Sequence, residues 1–335
     1  MRYLIVGPSW VGDMVMAQAL LKSLKLKDAE ARIDVLAPGW SLPIISRMPE
    51  VDQGIAAPWK SGELGLKAQW QLARSLALYD KAIILPRSFK SALIPFFARI
   101  PERVGFTGEG RSILLTDARR RHPTRDGELI TDKTVWRYLG LGASKEEYER
   151  YQFEVLAPEL TVDPENAARV LAELGLDSER PAIAICPGAE FGPSKQWPLA
   201  NHRALAGALV QRGVQVWVIG GPKDEDVGDT IASGQEGVFN LCGRTRLVDT
   251  VDLFSVCEKV VSHDSGLMHV AAASGAEVVA IYGSTSPDFT PPLTDKAVIV
   301  RHPVWCSPCF ERTCRFGHYN CLTGIQVEPV LEACR

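Results

Sequence analysis

Three strings in this 335-residue chain carry the residue types that bind anions and move protons, and each follows an apolar run. The first is Gly7-Pro8-Ser9-Trp10-Val11-Gly12-Asp13, after Tyr3-Leu4-Ile5-Val6. Asp13 reads as opening a helix over 14–26. A carboxylate there is either an N-cap or a general base for a hydroxyl proton, and the residues leave both open. The second is Gly188-Ala189-Glu190-Phe191-Gly192-Pro193-Ser194-Lys195-Gln196-Trp197, after Ala182 to Cys186. Glycines and prolines shape this loop before Lys195, whose ammonium is a compact point charge suited to phosphate. The plainer alternative is a surface lysine. The third is His263-Asp264-Ser265-Gly266-Leu267-Met268-His269, after Val260-Val261-Ser262. A strand that turns at Asp-Ser-Gly and re-enters as a helix aims backbone N–H groups, and the helix dipole, at an anion. Gly266 allows a phosphate to approach closely. Asp264 reads as an N-cap or a ligand, and His269 as a core histidine or a phosphate ligand. Ser284, Thr285 and Ser286 follow the next apolar run and could donate to a phosphate or a sugar.

A fourth cluster stands apart. Cys306, Cys309, Cys314 and Cys321 are four of eight cysteines, and His318 lies among them. The spacing C-x2-C-x4-C-x6-C could wrap one tetrahedral zinc, although it matches no common zinc or iron–sulfur pattern. Structural zinc, reduced thiols and a disulfide pair all remain open. Cys186, Cys242 and Cys257 sit in or beside apolar runs and read as packing residues.

The elements that must position these residues alternate. Strands are expected at 2–6, 32–36, 81–85, 182–186, 214–219, 259–262 and 278–282, and helices at 13–26, 66–78, 199–212 and 266–274. Such alternation predicts an α/β protein with parallel sheets covered on both faces. The pattern starts twice, at Tyr3 and at Ala182, with a polar, proline-containing stretch near 155–180 between. Two Rossmann-like domains facing across a cleft are therefore expected, over 1–165 and 166–326, with ligands at the carboxyl ends of the strands. The first loop is neither G-x-G-x-x-G nor a Walker A, so it carries no dinucleotide or P-loop fingerprint.

Composition limits the partners. The net charge of −3 gives no global nucleic-acid signature, and no apolar run is long enough to span a bilayer. The N-terminal apolar run is too short for a signal peptide, so a cytoplasmic protein is expected. Residues 81–125 nevertheless carry ten basic side chains against three acidic ones, a local basic face for an anionic partner or simply a solvated surface.

The strings GPSWVGDMVMAQAL, RMPEVD, LPRSFKSALIPFFA, PGAEFGPSKQWP, HDSGLMHVAAA and YGSTSPDFTPPL together resemble the ADP-heptose:lipopolysaccharide heptosyltransferases of glycosyltransferase family 9, over nearly the whole chain. The resemblance implies a GT-B fold, the acceptor on the first domain, the nucleotide-sugar on the second, and a C-terminal helix over 327–335 packing back on the first. It implies an inverting transfer of L-glycero-D-manno-heptose from ADP-heptose to the first heptose of the inner core, Hep-Kdo2-lipid A. Transfer to Kdo2-lipid A itself, or a non-catalytic nucleotide-sugar-binding module, are the alternatives. Asp13 is then the base and Lys195 stabilises the leaving diphosphate. Ser194, Asp264, Ser265, Gly266, Leu267 and His269 are expected to hold the donor, Asp264 through heptose hydroxyls and His269 through phosphate. Asp224 or Glu225 would take the adenosine ribose, and Leu241 and Gly243 would line the adenine. Ser9, Trp10, Arg87, Ser88, Lys90 and Arg103 are expected on the acceptor. No cofactor is expected for the transfer, and the inner face of the inner membrane is the expected peripheral location.

Overall fold

A computed structural model describes the whole chain except residues 59–63, 77, 121–132 and 151–152. The chain divides into two compact units, Met1–Pro158 and Glu159–Arg335. In the first, strands and helices run β1 (Arg2–Val6), α1 (Val11–Lys27), β2 (Arg32–Ala37), α2 (Leu42–Ile45), β3 (Gln53–Ala56), α3 (Leu66–Ser75), β4 (Lys81–Ile84), α4 (Leu93–Phe97), β5 (Glu102–Phe106), β6 (Asp117–Arg119), α5 (Thr134–Gly142) and α6 (Lys145–Arg150). In the second they run α7 (Pro164–Leu174), β7 (Ala182–Cys186), α8 (Leu199–Gln211), β8 (Gln215–Val218), α9 (Glu225–Ala232), β9 (Val238–Asn240), α10 (Leu247–Ser255), β10 (Lys259–His263), α11 (Gly266–Ala273), β11 (Glu277–Tyr282), β12 (Ala297–Arg301), α12 (Asn320–Thr323) and α13 (Val327–Ala333).

Each unit holds a six-stranded sheet, ordered β3-β2-β1-β4-β5-β6 and β12-β11-β10-β7-β8-β9, with every pairing parallel. Numbered from its own first strand, each sheet reads 3-2-1-4-5-6, the doubly wound order. Its crevice opens where the order reverses, beyond the carboxyl ends of strands one and four. These switch points lie between β1 and β4 and between β7 and β10. Strands buried on both faces read as continuous apolar runs, as Leu4-Ile5-Val6 and Ala182 to Cys186 do.

The boundary expected at 165/166 falls instead after Pro158. The helix α7 belongs to the second unit because Asn166 donates to Asp249 at 3.1 Å and Asp252 at 2.7 Å, while Ala167 and Val170 are buried. A cut at 165 would sever that helix. The C-terminal helix is also corrected. Val330 of α13 is fully buried among Ile183, Leu205, Leu209 and Val279, so α13 closes the core of the second unit instead of packing on the first. Among the described residues, no helix is long and apolar enough to cross a membrane.

Candidate functional site

In the first unit the loops after β1 and β4 meet at the switch point. The helix α1 begins at Val11, earlier than expected, with Trp10 at its N-cap and no side-chain capping bond. Asp13 is therefore not the cap. It lies in the first turn, where the macrodipole favours a carboxylate. Tyr138 of α5 faces this charge; burial, and then Asp13, push its phenol well above its ordinary range. Ser9 and Trp10 are exposed at the mouth, and the Ser9 carbonyl accepts from Trp40 Nε1 at 3.0 Å.

The loop after β4 carries Arg87, exposed, with Ser88 and Lys90 half-buried. What shapes it is Arg111, fully buried and bonded to no carboxylate among the described residues. Its guanidinium donates to the carbonyls of Phe106, Pro86 and Ser88 and to Ser91 Oγ. Burial, with Arg87 nearby, lowers its pKa to about 10. In sequence Arg111 was one charge in a basic run; nothing local marks it as the residue that holds the loop. Arg103, expected on the acceptor, is corrected. Its guanidinium donates to the carbonyls of Leu114 and Ile100 and sits over the Phe96 ring, so it is spent on packing. Arg119 of the basic run is likewise tied to Asp117 and to the carbonyls of Gly140 and Ala143. Arg121 and Arg125 lie outside the described residues.

The second unit brings Lys195 and Asp264 together at its own switch point. Lys195 Nζ donates to Asp264 Oδ2 at 2.7 Å and to the Asp264 carbonyl at 3.0 Å, and lies 4.8 Å from the Phe191 ring centre. Thr290 Oγ1 donates to Asp264 Oδ1 at 3.0 Å. Both carboxylate oxygens are engaged and the side chain is 4% exposed. Asp264 is thus not the N-cap, which is Ser265. It positions the ammonium, leaving one of three N–H donors for a ligand. Beside it, α11 opens at Gly266, and the N–H groups of Gly266 and Leu267 have no carbonyl a turn earlier to bond.

Two buried histidines hold the chain just after Lys195. Trp197 N donates to His263 Nε2 at 2.9 Å, and His202 Nε2 lies 3.1 Å away from the same atom. An Nε2 that accepts the Trp197 N–H carries no proton, so His263 is neutral, and burial pushes its pKa down to about 4. His269 is corrected by the same physics. It is buried on α11, burial pushes its pKa down to about 4, and it offers no cationic charge to a phosphate. Ser194 is corrected too. It is buried, its hydroxyl donates to the Glu311 carbonyl and accepts from Ser284 Oγ, and its N–H donates to the Arg312 carbonyl. It anchors the loop instead of facing a ligand.

After β8, Asp224 Oδ2 accepts from Gly221 N at 2.9 Å. A Cβ at Gly188 would stand 2.6 Å from that oxygen, so the end of β7 approaches the acid only because it is glycine. Burial raises the Asp224 pKa. Glu225 is exposed at the start of α9 and abuts Gly243, which is held at φ +71°. Leu241, expected to line adenine, is fully buried in the core. Thr290 is the residue the sequence reading passed over: it was part of the YGSTSPDFTPPL string, but its partner lies 26 residues earlier.

A glycosyltransferase family 9 (heptosyltransferase) family model matches residues 69–320. Lipopolysaccharide heptosyltransferase 2 of Salmonella typhimurium is 42% identical, covering 99% of this chain and 97% of its own. Lipooligosaccharide heptosyltransferase 2 of Haemophilus influenzae is 45% identical over 90% of this chain and 88% of its own. Among solved structures, E. coli ADP-heptose LPS heptosyltransferase II matches with a TM-score of 0.86 at 40% identity, over 100% of this chain and 97% of that one. Paired doubly wound sheets, each with its chemistry at a switch point, define a GT-B glycosyltransferase. Within that class, the chain belongs to glycosyltransferase family 9, the heptosyltransferases.

Proposed function

We propose that the protein transfers L-glycero-D-manno-heptose from ADP-heptose to the first heptose of the inner core, Hep-Kdo2-lipid A, inverting the anomeric centre. The names and the near-complete coverage of the heptosyltransferase 2 relatives support this acceptor. The observation that carries the donor side is the Lys195–Asp264 pair beside the first turn of α11.

Asp13 takes the proton from the acceptor hydroxyl as that oxygen attacks the anomeric carbon. The bond to the diphosphate breaks and its electrons leave with ADP. Lys195 and the N–H groups of Gly266 and Leu267 receive that growing charge, which a preorganised site stabilises without reorienting. Asp224 and Glu225 follow the second strand of their half, where a dinucleotide fold places its ribose-binding acid, and are assigned that role. Arg87 and Lys90 meet acceptor phosphates and Kdo carboxylates, with Ser9, Trp10 and Ser88 beside them. The acceptor is a lipid, so the enzyme works peripherally at the inner face of the membrane that holds it.

Asp13→Ala is expected to lower turnover by about 10²- to 10⁴-fold while ADP-heptose binds as before. Lys195→Ala is expected to lose about a hundredfold, roughly 3 kcal/mol of barrier. Calorimetry of donor binding beside a coupled ADP-release assay reads both. Near-normal turnover in Asp13→Ala sinks the base assignment.

A further inference from the structure

The transfer reaction leaves the Cys306–Cys321 segment unused. Residues 302–319 contain no helix or strand, and their large apolar side chains point outward: Trp305, Phe310 and Phe316 are 79%, 46% and 47% exposed. A run this long without regular structure or a core of its own needs another source of order. Its inward side gathers four sulfurs and an imidazole beside the hydroxyls of Ser194, Ser284 and Ser307. Cys306, Cys309, Cys314, His318 and Cys321 all line one cavity of about 20 Å³, the size of a single water-sized occupant. None of the eight cysteines is in a disulfide.

Backbone and imidazole N–H groups are aimed at two of these sulfurs. The turn after Cys314, with Gly317 at φ +73° and Tyr319 at φ +50°, aims the backbone amides of Phe316, Gly317, His318 and Tyr319 at Cys314. His318 Nδ1 accepts from Asn320 N at 3.0 Å, which leaves the proton on Nε2, 3.9 Å from Cys306 Sγ. That N–H is aimed to support a thiolate from outside the ligand set. Cys321 is buried against the same cavity as the other three sulfurs. As placed, no three or more His, Cys, Asp and Glu side chains among the described residues are grouped to hold a metal ion. The sulfurs must draw inward, a movement open to a segment without regular structure.

We propose that Cys306, Cys309, Cys314 and Cys321 bind one zinc-class divalent ion as a four-thiolate site, with His318 donating to the Cys306 sulfur. Four sulfur donors are the tetrahedral set such a soft-to-borderline ion takes. Each thiol gives up its proton as its bond to the ion forms, so four protons leave to solvent. The consequence reaches the transfer site. Cys309 N and Phe310 N donate to the Ser284 carbonyl at 3.0 and 2.8 Å, and the Glu311 and Arg312 carbonyls hold Ser194, next to Lys195. The ion fixes the segment that holds the Lys195 loop.

The test uses the full chain, purified under reducing conditions without added metal. Elemental mass spectrometry is expected to find about one zinc per chain after gel filtration. Metal-stripped protein titrated with cobalt(II) is expected to develop thiolate-to-cobalt charge-transfer and tetrahedral ligand-field absorption, saturating at one equivalent. Cys309→Ser and Cys314→Ser lose that absorption, whereas Cys257→Ala, outside the cluster, keeps it. Far-UV circular dichroism identifies any variant that fails to fold, and His318→Gln, which spares all four sulfurs, is expected to shift the absorption without abolishing it. Absence of both bound metal and cobalt–thiolate absorption overturns the proposal. So does full absorption in the Cys309→Ser, Cys314→Ser double variant, or a thiol count that reveals a disulfide within the cluster.

Discussion

At Lys195 and Asp264, residue types were legible in the sequence but the division of labour between them was not. An acid before a helix reads as a cap or a ligand because both roles use the same atoms. Only the fold shows that Thr290 and Lys195 occupy both oxygens of Asp264. The histidines repeat the lesson: His269 looked like a phosphate ligand until its burial made it neutral. This yields a pH prediction. Burial pushes His263 and His269 down to about 4 and His202 well below its ordinary value. Unfolded, each titrates near 6.5, so between about pH 6.5 and pH 4 the unfolded chain binds more protons. Stability fully present above pH 6.5 is lost as pH falls through that window, by up to about 3 kcal/mol for each of His263 and His269. The melting temperature is expected to drop from pH 7 to pH 5, and His269→Gln to flatten the slope. A melting temperature unchanged over that range contradicts the burial account.

At the scale of elements, buried apolar strands were legible and exposed, three-residue or interrupted strands were not. The strands β1, β4, β7, β10 and β11 announce themselves as buried runs, and they are the ones that carry the site. Gln53–Ala56 and Ala297–Arg301 were missed because they are largely solvent-facing, Asp117–Arg119 and Val238–Asn240 because they span three residues, and Glu102–Phe106 because two charges and a glycine interrupt its apolar run. Missing them hid the six-stranded order, and with it the reason why exactly these loops meet. Loop shape was legible only in part. Gly192 stands at φ +146°, and a Cβ there would lie 2.5 Å from the Arg312 carbonyl oxygen. Gly192→Ala is therefore expected to displace the Lys195 loop, weakening ADP-heptose binding about tenfold or more, with little change in acceptor KM. Unaltered donor affinity in a folded Gly192→Ala protein means that the contact does not set the loop.

At the scale of the whole molecule, the repeated strand–helix pattern foretold two units, but not where the chain ends its work. The last helix could be assigned to either unit from its sequence, since an amphipathic seven-residue segment fits many faces. Its burial with β7 and α8 decides the matter: Val330 is fully buried and Arg212 donates to the Leu331 carbonyl at 2.9 Å. Deleting residues 327–335 is expected to destabilise the second unit by roughly 3 kcal/mol or more, as loss of a buried apolar anchor does. Hydrogen exchange should then rise in β7, β8 and α8 while β1, β4 and α1 stay protected. Equal loss of protection in both units contradicts the assignment of α13 to the second core.

The proposed reaction moves a heptose from ADP-heptose onto an inner core that already carries one. The direct measurement is a transfer assay with ADP-heptose against Kdo2-lipid A with and without its first heptose, each product read by mass spectrometry. A gain of one heptose on the heptose-bearing acceptor, released ADP in equal amount, and no gain on Kdo2-lipid A alone are expected. Transfer to the heptose-free acceptor, or donor binding without any mass gain, contradicts it.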